Sequence, residues 1–268
     1  MISGSIFSVA FTVFRTYLEV VQVWMFPDLN LWVASAVILP LIAFILKGGF
    51  RSIVGICFLG VVLPSFLVLT IYFPLQYAHF GNLLPVGGFT IKEMVISTRN
   101  MVLSYLRFEL TLFYYGFIKM AERSQKWAHL GNAVTIFTYL ALSIISFAYF
   151  PASYIKNAEW ATLIMWKIVE FPFLERFEYI GVTTWMMVIM PILCLFLWAA
   201  SRNMKHLFPH LQQKTALYMG LLLMFLAVGF IQTRSQISLL NSITSQFGIF
   251  FLGSYIPLLY ILTLRRRK

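Results

Sequence analysis

Long runs without a charged side chain follow one another along this chain. Asp, Glu, Lys and Arg are absent from residues 52–91, 127–155, 179–201, 215–233 and 235–264. The hydrocarbon core of a bilayer is about 30 Å thick, and a helix needs about 20 apolar residues to cross it. A soluble core does not need charge-free runs of this length in series. The pattern therefore predicts an all-α polytopic membrane protein.

Eight transmembrane helices are predicted from these runs and from the polar residues that bound them. They lie at about residues 6–26, 31–46, 53–77, 95–118, 130–149, 179–200, 215–231 and 247–264. Gly and Pro are frequent in residues 81–88, which predicts a loop between the third and fourth spans. All eight spans are assigned to a single transmembrane domain over residues 1–268.

The segment 151–177, between the fifth and sixth predicted spans, is long for a linker. It carries Trp160, Leu163 and Trp166, with Glu159 and Lys167 among them. Aromatic side chains sit well at headgroup depth. A short helix that lies on or caps the outer face is therefore predicted, and a simple interfacial connector is the alternative.

Composition and charge agree with a membrane protein. The 268 residues are 60% hydrophobic and 11% charged, whereas soluble domains carry about 25% charged residues. The net charge of +11 does not indicate nucleic acid, because the basic residues stand at the ends of apolar segments, as topology signals do. Membrane lipid is the expected partner, and the basic tail 265–268 favours anionic headgroups.

The basic residues also predict an orientation. With the amino terminus in the cytoplasm, the cytoplasmic loops and tail hold most of the basic residues outside the spans. They are Lys47, Arg51, Lys119, Arg123, Lys126, Arg202, Lys205, Lys214 and the tail 265–268. Eight spans with both termini in the cytoplasm are therefore expected.

The sequence lacks the motifs of the common soluble enzymes. It has no phosphate-binding glycine loop, no zinc-ligand spacing and no nucleophile elbow. Cys57 and Cys194 both lie inside apolar segments, which argues against a disulfide framework or a metal site. We therefore expect no catalytic residue, no metal and no cofactor, and the chain is not expected to be an enzyme.

Two pairs of ionisable residues lie inside predicted spans. A charge at the bilayer centre costs at least ~2.5–3.5 kcal/mol, so it usually faces protein or water. Arg15 and Glu19 are four residues apart on one helix face, where they can neutralise each other or line a polar path beside Thr12. Arg107 and Glu109 project to nearly opposite sides of a regular helix. Satisfying both requires partners on other helices, or a local break that exposes backbone to a ligand cavity.

Glu178 opens the sixth predicted span, shortly after a proline at position 172. Acidic residues suit the first turn of a helix, so capping alone can account for Glu178. Thr183 and Thr184 lie one to two turns deeper. Their hydroxyls can contact a ligand or bond back to their own helix.

Several short runs resemble one family. Residues 107–113 (RFELTLF), residues 170–178 (EFPFLERFE) followed by Trp185, and residues 82–85 (NLLP) are similar to the spore germination permease family. These are the GerAB-like B subunits of nutrient germinant receptors, in the amino acid/polyamine permease-like superfamily. Glu19 followed by Pro27 also resembles an acid and a proline-bearing turn of the family.

The resemblance implies a ten-helix fold built from two inverted five-helix repeats. The eight predicted spans match helices three to ten of that fold, with the first two helices missing. A start assigned to an internal methionine, a fragment or a degenerate copy would each account for this. In such folds the first helix supplies about half of the ligand site.

The function implied by the resemblance is nutrient sensing in the spore inner membrane, beside an A subunit and a lipoprotein C subunit. The expected nutrient is an amino acid. The residues expected at its site are Thr12, Tyr105, Thr111, Tyr115, Thr183 and Thr184, and the charged residues expected to bind ions or water, or to serve structure, are Arg15, Glu19, Arg107, Glu109 and Glu178. Two other hypotheses remain open: an ion-coupled amino-acid transporter with the same fold, and a truncated membrane scaffold that binds no ligand.

Overall fold

A computed structural model describes residues 2–84, 87–105, 108–169, 171 and 175–266, and the regular elements of these residues are helices. They are α1 (Ile2–Trp24), α2 (Leu31–Lys47), α3 (Gly49–Gln76), α4 (Ile91–Tyr105), α5 (Ala121–Tyr149), α6 (Ala152–Ile155), α7 (Ala161–Trp166), α8 (Phe177–Leu207), α9 (Gln213–Phe230), α10 (Arg234–Phe250) and α11 (Ile256–Arg266). Helix α3 is a 3-10 helix over Leu63–Ile71. A π-helical turn at Phe251–Tyr255 joins α10 to α11.

Six helical stretches within the described residues are long and apolar enough to cross a membrane. They are Gly4–Trp24, Gly49–Gln76, Ala121–Tyr149, Phe177–Leu207, Gln213–Phe230 and Arg234–Leu264. Helix α2 is apolar but has only 17 residues. An all-α polytopic membrane protein is thereby confirmed, while the count of eight spans stays a prediction.

Two of the predicted spans differ most from the structure. The span predicted at 95–118 is not one regular helix, because short turns occupy its second half, from Phe108–Leu110 to Tyr115–Phe117. The span predicted to start at 247 belongs to a longer helical stretch that begins at Arg234. Its first two turns are rich in polar residues, so the sequence pattern assigned them to a loop.

Helices α1 and α8 pack along each other at the centre of the bundle. Their contact buries Phe14 and Leu18 of α1, and Leu193 and Phe196 of α8. Helix α2 packs on α9, α3 packs on α8, and α10 packs on α1. Helix α5, in contrast, leaves most of its apolar side chains exposed, as a helix that faces lipid does.

Local sequence explains the tight connection between α2 and α3. Asn30 caps the start of α2, since its side-chain oxygen accepts hydrogen bonds from the backbone N–H groups of Trp32 and Val33. Gly48 ends α2, and Gly49 follows with a φ of 76°. This left-handed conformation favours glycine and allows α3 to start at once.

A cap segment, defined here as residues 152–169, lies across the ends of α1 and α8. Leu163 is buried against Val20 and Val182. The ring of Trp166 lies against Gly181, where a β-carbon would collide with it. The indole Nε1 of Trp166 also donates a hydrogen bond of 3.2 Å to Thr70 Oγ1. We call this end of the bundle the cap end.

Candidate functional site

Hydroxyl side chains join α1 to α10 in the middle of the bundle. Thr244 Oγ1 lies 3.0 Å from Thr12 Oγ1 and 3.2 Å from Ser8 Oγ. Thr12 and Thr244 are both buried. Interhelical hydrogen bonds of this kind contribute about 0.6 kcal/mol on average within a membrane. They fix the register of the two helices, and this contact is called the α1–α10 seam below.

Arg15 lies one turn further along the same face of α1, and its side chain is 1% exposed. Its Nε donates a hydrogen bond of 2.7 Å to the Ile231 carbonyl, and its Nη2 donates one of 3.1 Å to the Gln232 carbonyl. Carbonyls just beyond a helix end, as these are beyond α9, lack partners within the helix. Arg15 therefore supplies hydrogen-bond donors to two backbone carbonyls in the connection between α9 and α10.

Arg15 and Glu19 interact electrostatically, as one of the two alternatives expected, but they form no direct ion pair among the described residues. Among the described residues, Glu19 forms its ion pair with Arg234, whose Nη1 lies 2.7 Å from Glu19 Oε2. The four-residue spacing was a sound reason to expect neighbours on one helix face. It could not disclose that helix α10 brings a second arginine to the same carboxylate.

Arg234 also reaches the cap segment. Its Nη2 lies 2.7 Å from Glu159 Oε2, its Nε donates a hydrogen bond of 3.1 Å to Glu159 Oε1, and its guanidinium lies over the ring of Trp160. The side chain of Glu19 is 8% exposed and that of Glu159 is 50% exposed. One arginine therefore connects α1, the start of α10 and the cap segment.

A small cavity of about 30 Å³ lies at the other end of the α1–α10 seam. Its lining residues are Ser5, Ile6, Ser8, Val9, Glu109, Phe196, Thr244, Phe247, Gly248 and Phe251. This volume is about that of one water molecule. Glu109 is buried and lies in the 3-10 turn after the end of α4. Phe251 begins the π-helical turn, a feature that is frequent at functional sites.

The predicted ligand-contacting residues lie in different places. Of those whose side chains are described, none lines this cavity. Thr12 bonds to Thr244, and Thr111 Oγ1 lies 3.0 Å from the Tyr114 hydroxyl. Tyr115 and Thr183 are exposed, and Thr184 is half-buried.

Two of the predicted site residues lie wholly or partly outside the described part of the chain. Arg107 is not among the described residues, and Tyr105 is described by its backbone alone, as the last residue of α4.

The hydroxyl of Thr183 donates to the Tyr179 carbonyl of its own helix at 2.8 Å. Bonding back to the helix was one of the two roles open to it.

Glu178 is buried at the start of α8, as suits an acidic residue in a first turn. Its Oε1 accepts a hydrogen bond of 2.9 Å from Arg176 Nε, and the Arg176 guanidinium also lies over the Tyr179 ring. The hydrogen bond to the Glu178 carboxylate raises the pKa of Arg176 above its ordinary value. Glu178 thus has a structural role at a helix start.

Sequence reasoning missed four residues of this region: Ser8 and Thr244 of the seam, Ser5 of the cavity lining, and Arg234. One signal could have found those of α1, because its polar residues recur every three or four positions, which places them on one helix face. The polar residues of 234–248 are spread around the helix and give no such signal. Among the described residues, no three His, Cys, Asp or Glu side chains come together as a metal site would require.

Comparisons with known proteins give a family. Residues 5–237 match the model of a family described as Spore germination protein. Spore germination protein GerQB of Bacillus cereus is 41% identical over 257 residues, which are 96% of this chain and 71% of that protein. Spore germination protein GerLB of Bacillus cereus is 22% identical over 150 residues, which are 54% of this chain and 40% of that protein. No solved structure matches the chain significantly.

Proposed function

This chain belongs to the family of spore germination proteins, and we propose that it is a B-type subunit of a nutrient germinant receptor. In this proposal it senses a small nutrient, an amino acid being the expected class. It passes the signal to partner subunits of A and C type. No covalent chemistry is involved.

The observation that supports this function is a buried acid in a predicted span that is not one regular helix. Glu109 lies in the 3-10 turn Phe108–Leu110 and lines a cavity together with Ser8 and Thr244. Interrupted helices with midplane polar groups are how many membrane permeases build a ligand or ion site. A receptor can use the same arrangement to bind without transport.

The size of the cavity supports a mechanism by population shift. About 30 Å³ accommodates one water molecule or a small ion, and an amino acid is several times larger. We therefore propose that the nutrient binds a second arrangement of the bundle, in which the α1–α10 seam is open. A ligand that binds one arrangement better shifts the population toward it.

The residues proposed to contact the nutrient in the open arrangement are those that the resemblance implied. They are Thr12, Tyr105, Thr111, Tyr115, Thr183 and Thr184. Glu19 and Glu109 are proposed to bind a cation, a proton or water. Of these two, Glu109 is the stronger candidate, because Glu109 lines the cavity and Glu19 does not.

We also propose the spore inner membrane as the location, with the cap end outward and both termini in the cytoplasm. The distribution of basic residues supports this orientation. Lys47, Arg51, Lys205 and Lys214 lie at helix ends remote from the cap segment, as expected of a cytoplasmic face.

Nutrient-triggered germination tests the proposed function. Spores carrying Glu109→Gln, at the protein level of the wild type, are expected to need a higher nutrient concentration for the same germination rate. Glu93→Gln is the matched control, since Glu93 is an exposed acid in α4. An unchanged dose response for Glu109→Gln would exclude Glu109 from the sensing site.

Ion-coupled transport remains a second candidate, favoured by the same buried acid in a 3-10 turn. Uptake of a labelled amino acid into proteoliposomes separates the two functions. A receptor without transport gives no accumulation above protein-free vesicles, and a transporter gives accumulation that depends on an ion gradient.

A further inference from the structure

The guanidinium of Arg15 has one nitrogen without a hydrogen-bond partner among the residues that the structure describes. Arg15 is close to the middle of the apolar stretch Gly4–Trp24 and is 1% exposed. Nε and Nη2 donate to the carbonyls beyond α9, whereas Nη1 has no hydrogen-bond partner in the described part of the chain. Buried donors are rarely left unsatisfied in a native structure.

A second unsatisfied atom lies at the same level of the α1–α10 seam. Asn241 Oδ1 is buried and likewise finds no hydrogen-bond partner in the residues described. The contacts Thr12–Thr244 and Glu19–Arg234 show that α1 and α10 run antiparallel. Arg15 and Asn241 each lie three residues from the Thr12–Thr244 contact, on the side toward Glu19 and Arg234. At 1.5 Å per residue, both are about 4.5 Å from that contact along the helix axes.

Among the described residues, no carboxylate bonds directly to Arg15. Carbonyl oxygens supply only partial charges, and Glu19, which acts on Arg15 electrostatically, forms its direct ion pair with Arg234 instead. A buried cation whose only nearby carboxylate is shared with another arginine is costly, and most of all near the centre of a bilayer. An anion at Nη1 would offset that cost.

Asn241 can complete such a site. The oxygen and nitrogen of an amide side chain exchange places by a half-turn of the terminal torsion, so the group offers either an acceptor or two donors. With its nitrogen turned toward Arg15, the amide donates to the same anion. A carboxylate or a small inorganic anion can accept from both side chains.

We propose that Arg15 Nη1 and the Asn241 amide form a binding site for a small monovalent anion in the α1–α10 seam. The anion is either the carboxylate group of an organic acid or an inorganic ion such as chloride. Arg234 lies between this site and the cap end, paired with both Glu19 and Glu159. Entry from the cap end therefore requires Arg234 to release a partner. The carboxylate form of the proposal rests on the proposed function, with the nutrient as its source.

Thermal unfolding of the purified full chain in detergent tests the site. The probes are sodium acetate, sodium chloride and the neutral analogue acetamide, each titrated in a buffer whose only other anion is sulfate. At least one of the two anions is expected to raise the melting temperature in a saturable manner, and acetamide is not. If acetate acts at the lower concentration, the site is one for an organic carboxylate; if chloride does, the site is one for an inorganic anion.

Three variants locate the effect. Asn241→Leu is expected to raise the half-saturating anion concentration about tenfold, because the anion loses one charge-assisted hydrogen bond. Arg15→Gln is expected to abolish the shift. Arg51→Gln removes an exposed cation and is expected to leave the shift unchanged. If Arg15→Gln does not fold, Asn241→Leu carries the test.

Two results would overturn the site: no saturable rise with either anion in the wild type, or an equal rise in the wild type and in Asn241→Leu. Neither result bears on the proposed function, which the dose response of Glu109→Gln spores tests separately. A weakened nutrient response in those spores, with no anion effect on the purified chain, would remove the anion site alone.

Discussion

Arg234 Nη1 lies 2.7 Å from Glu19 Oε2, although 215 positions separate the two residues in the sequence. The contact joins the cap end of α1 to the first residue of α10. The same arginine holds Glu159 of the cap segment. This bridge ties the outer surface of the bundle to its buried polar seam.

Arg234→Gln is predicted to destabilise the protein by about 1–3 kcal/mol, because it leaves the buried Glu19 carboxylate without its partner. The partial exposure of Arg234 keeps the loss below that of a fully buried pair. Glu159→Gln is predicted to cost less than about 1 kcal/mol, as is usual for an exposed ion pair. Melting temperatures of the purified variants in detergent give the ranking.

Lys156→Gln, which removes an exposed cation of the cap segment, is the control for that ranking. The double variant Glu19→Gln/Arg234→Gln should recover part of the lost stability, since no unpaired carboxylate then remains buried. Equal melting temperatures for Arg234→Gln and Glu159→Gln would contradict the assignment of the stronger contact to Glu19.

Gly181→Ala is predicted to loosen the cap segment. A β-carbon at this position collides with the ring of Trp166, so the ring must move away from α8. Overpacking of this kind typically costs about 1–3 kcal/mol. Limited proteolysis should cleave the cap segment faster in Gly181→Ala, and the tryptophan fluorescence should shift to the red.

Gly55→Ala is the matched control, since a β-carbon there meets nothing within 4 Å. Alanine also favours a helix more than glycine does, so this variant should be neutral or slightly stabilising. Unchanged proteolysis of the cap segment in Gly181→Ala would show that Trp166 is not seated as described.

The first turn of α4 is predicted to depend on pH. Thr90 N–H and Thr90 Oγ1 both donate to Glu93 Oε2, at 2.7 and 2.9 Å, and Glu93 N–H donates to Thr90 Oγ1 at 3.3 Å. This reciprocal capping box holds the pKa of Glu93 below its ordinary value of 4.5, mainly through the hydrogen bond from the Thr90 backbone.

Because the pKa of Glu93 is lower in the folded state, its contribution to stability is complete above pH 4.5 and is lost as the pH falls through the folded value. Hydrogen exchange at the start of α4, corrected for its intrinsic pH dependence, should therefore increase below pH 4.5. Glu93→Gln should remove this pH dependence. Exchange that rises equally in both proteins would refute the role of Glu93.

The sequence was sufficient for the membrane class and for most helix positions. Charge-free runs of more than about 20 residues are typical of membrane-spanning helices, and they located α3, α5, α8 and α9. The start of α10 was missed for a physical reason. Its first two turns carry several polar residues, most of them exposed, and a hydropathy pattern assigns such residues to a loop.

The candidate site was harder to predict, because its contacts join residues far apart in the chain. Arg15, Glu19 and Glu109 were identified from the cost of burying a charge, and all three are buried. Their partners were not identified. Helical spacing placed Glu19 beside Arg15, but only the packing of α10 against α1 brings Arg234 to that carboxylate.

Two charges on opposite sides of one helix left two alternatives for Arg107 and Glu109, partners on other helices or a local break. Arg107 lies outside the described residues and Glu109 lies in a 3-10 turn at Phe108–Leu110, so the break stays a prediction. The cavity that Glu109 lines, bordered by the π-helical turn after α10, could not be foreseen. A π-helical turn depends on tertiary packing, and no residue type in Phe251–Tyr255 predicts it.

Locking the α1–α10 seam tests the central claim most directly. Ser8 Oγ and Thr244 Oγ1 lie 3.2 Å apart, so cysteines at these two positions come within reach of a disulfide. Spores carrying Ser8→Cys/Thr244→Cys are predicted to lose the nutrient response under oxidising conditions and to regain it with a reductant, whereas each single variant responds in both conditions. Oxidised double-variant spores that germinate with the nutrient dose response of the wild type, with the disulfide verified, would contradict a sensor that works by opening this seam.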